Sequence, residues 1–172
     1  MTDIPPEGSA QGTAPDSRAP QFRVLGQYVR DSSFENPGAP ASLRSGQGSP
    51  QIELGVDMAA RRVDADTDEV SLRIRATAKR GEETVFIAEL LYAGLFAFIN
   101  IPDEERGPIV MIECPRMLFP FARQILADMT RDGGFPPVML EPIDFAALYR
   151  ARLQQQAQQG QPGESGEAPK AN

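Results

Sequence analysis

Cys114 is the only thiol in this sequence, and the chain holds no histidine. Those two facts remove most catalytic chemistry. Serine and cysteine nucleophiles need an adjacent base, most often histidine, and proton transfer near neutral pH leans on the same side chain. A zinc centre needs several thiolates or imidazoles, which one cysteine cannot supply. Cys114 opens the apolar run CPRMLFPF, so a small buried residue is the better reading of it than a nucleophile. Glu89 and Glu113 are carboxylates a fold can pair, yet nothing in their spacing singles them out from solvated acids. No GxGxxG or other phosphate-cradling loop is present. The residues argue against an enzyme, and neither cofactor nor metal is expected.

What the sequence does hold in excess is apolar side chains beside turns and breaks. Phe34 lies in a polar stretch, Phe119 and Phe121 flank Pro120, and Phe135 precedes two prolines. Phe145 and Tyr149 ride a short terminal segment. Core packing explains any one of them best. Together they predict a partly exposed apolar groove, a surface that on a soluble protein marks binding.

The elements that must position these side chains are legible from periodicity. Residues 1–20 and 154–172 are rich in Pro, Gly, Ser, Ala and Gln and too poor in large apolar residues to offset their ordering entropy. They are expected to be disordered tails around one domain, residues 21–153. Residues 21–30 read as a strand, 31–40 (DSSFENPGAP) as turn and loop, and 41–50 as a connection unusually long for a compact domain. Residues 51–58 alternate, with Ile52, Leu54, Val56 and Met58 on one face, and residues 70–78 repeat the pattern. Residues 84–99 are apolar on both faces, interrupted only by Glu89, and so need cover on both, which predicts a second subunit. Leu118, Phe121, Ala122, Ile125 and Met129 share a helical face, stopped by the glycines at 133–134. If that helix starts near Met117, Pro120 falls in its first turn, where it costs no hydrogen bond. Residues 143–153 form a last short helix with Asp144 as its N-cap. The fold class is α+β, with antiparallel strands first and helices after.

Charge and hydropathy narrow the partners. The net charge of −7 argues against nucleic acid, whose phosphates need clustered Lys and Arg. The longest apolar block, LLYAGLFAFI, is too short to span a bilayer, and no secretory signal is evident at the N-terminus. With a single cysteine, a cytoplasmic protein with no direct membrane insertion is expected.

The segments RDSSFENPGAP, GEETVFIAEL, CPRMLFPFAR and DGGFPPVMLEPIDFAALY occur in that order. Over residues 22–153 the chain closely resembles the SecB family of bacterial protein-export chaperones. The resemblance implies a four-stranded antiparallel sheet followed by a long and a short helix, assembled as a homotetramer, a dimer of dimers. It implies an ATP-independent chaperone that holds unfolded precursors and delivers them to the SecA ATPase, with no nucleotide or metal of its own. By position, Asp31, Glu35, Ile87 and Glu89 would face SecA, whose small zinc-bearing C-terminal module is basic. Phe34, Leu54, Val56, Phe121, Phe145, Leu148 and Tyr149 would line the client groove. Where the family often carries Trp, in the loop at residues 41–50, this chain has none and offers Leu43. Ala88, Leu90, Tyr92, Ile125 and Met129 are expected at the oligomer interface. A relative of the same fold that guards an antitoxin is the alternative, and a small-molecule-binding or catalytic oligomer the weakest reading.

Overall fold

The computed structural model describes residues 19–44 and 46–159. The expectations for residues 1–18 and 160–172 lie outside that span. Strands β1 (Gln21–Glu35), β2 (Gln51–Arg62), β3 (Thr67–Arg80) and β4 (Glu83–Ile99) form one sheet in the order β1-β4-β3-β2. Every neighbouring pair is antiparallel. Gly81, at φ +60, supplies the positive-φ position that turns β3 into β4. β1 breaks the hairpin succession by pairing with β4, at the edge remote from β2. Residues 36–50 must therefore cross the end of the sheet from one edge to the other. That span is the physical reason the connection is long.

The composition of residues 31–35 predicts a loop, but they complete β1. Asp31, Ser33 and Glu35 stand opposite Leu91, Glu89 and Ile87 of β4. Asp and Ser disfavour strands only weakly, and pairing along the continuous β4 outweighs that local preference.

One face of the sheet is the core. Val70, Leu72, Ile74, Ala76 and Ala78 of β3 stand beside Phe86, Ala88, Leu90 and Tyr92 of β4, all buried. Helix α2 (Cys114–Asp132) covers them with Leu118, Ala122 and Leu126, all fully buried. Gly94 permits this approach, since a Cβ there would stand 2.8 Å from Leu118 Cδ2. The chain's own helix thus covers the face bearing Ala88, Leu90 and Tyr92, which corrects their expected place in an oligomer interface. Ile125 and Met129 are half-buried on α2.

Helix α1 (Asp103–Pro108), a π-helical turn (Ile109–Glu113) and α2 run on without interruption. Asp103, Glu104 and Glu105 occupy the first turn of α1, where acids complement the helix dipole. At the seam the Cys114 N–H donates to Ile109 O, one residue further back than in an α-helix. Pro115 falls in the opening turn of α2, and Pro120 lies inside it. The expected start near Met117 is therefore corrected. Pro120 is interior, so the carbonyl of Arg116 lacks its usual donor. On this helix Leu118 and Ala122 of the expected apolar face are fully buried, while Phe121 is 53% exposed.

Helix α2 closes in a Schellman turn. The Phe135 N–H donates to Thr130 O at 3.1 Å, with Gly134 at φ +89. Buried Thr130 Oγ1 accepts the Val138 N–H at 2.9 Å, pinning the returning segment to the helix. Helix α3 (Phe145–Gln159) is capped by Asp144, whose Oδ1 accepts the Ala147 N–H at 2.9 Å. It runs past its expected end at Leu153 into the glutamines, which are good helix formers.

Buried Arg106 of α1 ties the helical layer to the sheet. Its guanidinium donates to Ala65 O at 2.9 Å, Phe98 O at 3.1 Å and Asp66 Oδ1 at 3.3 Å. It also lies 5.5 Å over the Phe98 ring.

Candidate functional site

Helix α2 covers β3 and β4 but leaves the edge strand β2 jutting beyond it. Ile52, Leu54 and Val56 point to the helix side, opposite Ala78, Ala76 and Ile74. Leu54 is 51% exposed. Facing them, Phe135-Pro136-Pro137-Val138-Met139 passes over Phe86, and the space between is an open groove of about 360 Å³. The two prolines hold this wall extended without needing backbone donors.

An aromatic cluster closes one end. Phe34 stacks on Phe86 at 5.5 Å between centroids, and Phe135 lies 4.8 Å from Phe86 and 6.2 Å from Phe34. The Phe34 ring lies against Gly133, where a methyl group would overlap it. Leu43 rests by Gly134, its Cδ2 3.1 Å from where a Cβ would sit, and is itself 46% exposed. At the other end of β2, Arg152 of α3 donates to Met58 O at 3.3 Å.

Of the expected groove residues, Leu54 lines the groove, and Phe34 and Leu43 buttress its end. Val56 is half-buried further along β2. Leu148 is 38% exposed on α3, and Tyr149 is half-buried with its hydroxyl near Gly107. Phe145 is corrected to the core. It is 1% exposed and packs edge-on against Phe119 at 5.9 Å, because the first residue of α3 must anchor that helix. Phe121 is also displaced. It stacks on Tyr92 at 6.4 Å, and the Tyr92 hydroxyl reaches Gln27 of β1, so this aromatic sits toward the β1 edge rather than the groove. Ile52, Phe86 and the 136–139 wall are the groove residues that sequence reasoning missed. Ile52 was legible from its alternation with Leu54, whereas Phe86 reads as ordinary core.

Among the described residues no helix packs on the opposite face of the sheet. Here Glu35 stands opposite Ile87, Ser33 opposite Glu89 and Asp31 opposite Leu91. The strand's period of two thus brings Asp31, Glu35, Ile87 and Glu89 together on one surface. Arg75, opposite Glu89 on β3, pairs with its carboxylate. The arrangement is an apolar strip along β4 with acids on β1.

No catalytic device accompanies either surface among the described residues. Cys114 is fully buried, and desolvation pushes its thiol pKa up, with the Asp68 and Glu113 charges adding to the effect, so it stays a neutral thiol. An apolar groove beside an edge strand, backed by a charged and apolar face, has the shape and chemistry an extended polypeptide segment would fit.

The family model described as preprotein translocase subunit SecB matches residues 15–156. The chain belongs to the SecB family of protein-export chaperones. It is 56% identical over 157 residues to the protein-export protein SecB of Maricaulis maris, covering 91% of this chain and 90% of that one. It is 50% identical over 151 residues to the SecB of Rhodopseudomonas palustris, covering 88% and 96%. Among solved structures, the fold resembles a SecB-like chaperone of Mycobacterium tuberculosis in complex with a peptide from an antitoxin. That match has a TM-score of 0.59 at 19% identity and covers 71% of this chain and 90% of that one.

Proposed function

We propose that this chain is an ATP-independent holding chaperone for unfolded precursor proteins, which it presents to the SecA ATPase. The observation that carries the reading is the groove beside β2. It offers what an unfolded segment needs, apolar surface for its side chains and an unpaired strand edge for its backbone. A buried Phe or Leu of the client contributes about 1.5–3 kcal/mol, while association and ordering subtract several. One groove therefore binds weakly and exchanges fast. Joining protomers in a tetramer, as the family reading implies, multiplies the effective concentration along one long client. Folded proteins expose no such segments, so selectivity follows without a sequence code.

SecA would dock on the opposite face at Asp31, Glu35, Ile87 and Glu89, where an acidic rim around an apolar strip suits a basic module. Both events would take place in the cytoplasm. The antitoxin-guarding alternative is not favoured, since the close relatives are export chaperones and the antitoxin-bound neighbour is only 19% identical.

The test is a refolding assay. The protein should delay folding of a slow-folding precursor without ATP, and no delay at equimolar tetramer overturns the reading. Glu89→Lys should weaken SecA binding and leave client binding intact, whereas equal loss of both counts against the docking face.

A further inference from the structure

The open face carries more than the acidic rim. Three ladder rows cross it on the same side. Asp57, Arg73, Leu91 and Asp31 form the first, Gly55, Arg75, Glu89 and Ser33 the second, and Glu53, Thr77, Ile87 and Glu35 the third. Most cations on or beside these rows are engaged: Arg75 by Glu89, Lys79 by Glu53, Arg30 and Arg61 by Glu69. Exposed Arg73 forms no ion pair among the described residues, although Asp57 stands opposite it. Arg73 and Asp57 both border a shallow depression of about 270 Å³, with Arg30, Met58, Ser71 and Leu91 among its other walls.

We infer that Arg73 is a second, cationic contact of this docking face, one that takes a carboxylate side chain of the partner. This rests on the proposed reading of the face as the SecA site. The partner surface must then be bipolar. It places cations over Asp31 and Glu35 and an acid over Arg73, which stands two strand spacings, about 10 Å, from Asp31 and further from Glu35. An apolar residue sits between them on Ile87 and Leu91. A guanidinium fork binds a carboxylate in a fixed bidentate geometry, so this contact sets the orientation of the docked module, which an acidic rim alone does not. It also rejects a uniformly basic partner, whose charge would meet Arg73 head-on. Asp57 is the intramolecular rival for the same guanidinium.

The test measures binding of the full-length protein to purified SecA by calorimetry at fixed salt. Arg73→Gln should weaken binding by about tenfold and Arg73→Glu by more, with client binding unchanged. Arg73→Lys should recover only part, because it keeps the charge and loses the fork. Asp57→Asn should tighten binding by removing the rival. Glu35→Arg serves as the acidic-rim control. Wild-type affinity in Arg73→Gln, with loss in Glu35→Arg, overturns the cationic contact and leaves the docking face standing. Wild-type affinity in both overturns the docking face itself.

Discussion

Gly133 illustrates how much of the groove depends on a side chain that is missing. The Phe34 ring occupies the space a Cβ would take, and from there it stacks on Phe86 and nears Phe135. Gly133→Ala forces that ring outward in a packed cluster, a change that costs about 1–3 kcal/mol. The variant should show a lower urea midpoint and a shorter refolding delay on a precursor, while SecA affinity holds. An unchanged delay would mean that the Phe34 end does not shape the groove. At this scale the sequence was informative about residue type and less so about direction. Leu54 and Asp144 sit where their patterns put them. Phe145 exchanges expected exposure for burial because α3 needs an anchor, and Phe121 keeps its exposure but sits beside Tyr92 toward the β1 edge.

The β3 and β4 alternations and the α2 periodicity were readable, since burial on one face leaves a period. What periodicity does not reveal is the body that does the covering. A strand apolar on both faces predicts a second subunit; α2 of the same chain covers the Ala88, Leu90 and Tyr92 side, which leaves that expectation to the Ile87 and Leu91 side. Arg106 was silent for a related reason: a lone arginine in an acidic turn looks solvated. Buried at the junction of α1, the β2–β3 turn and the end of β4, it holds layers together that local patterns cannot connect. Arg106→Met should be strongly destabilising, at about 1–3 kcal/mol for each acceptor left stranded, because the carbonyls of Ala65, Phe98 and Ile101 lose their donor together. Urea unfolding monitored by circular dichroism reads this directly. Arg106→Lys should rescue little, since one ammonium cannot reach all the acceptors at once. Near-native stability in either variant would show the junction to be held by packing alone.

For the whole molecule, the decisive relation is that the groove and the proposed docking face lie on opposite sides of one sheet. The groove opens between β2 and the 135–139 segment on the helix side, and the acidic rim lies on the bare side. Two partners so placed do not compete for the same atoms. Protein saturated with an unfolded precursor should therefore still bind SecA, giving a ternary complex in sedimentation or light scattering. Strict exclusion of one ligand by the other would contradict this geometry. The fold class and strand content were legible throughout, but this two-sidedness was not, because it depends on where residues 36–50 carry the chain.

That crossing also sets a schedule. β1 is the first strand of this sheet to leave the ribosome, and β4, its only pairing partner among the described residues, is the last. The segment from the end of β1 to the end of β4 takes about 3 to 13 s to make at ordinary synthesis rates. Through that interval β2 and β3 can form their hairpin, while β1 waits with its Phe and Val side chains and its backbone unpaired. A protein that shelters unfinished chains thus passes through the same exposed state during its own birth.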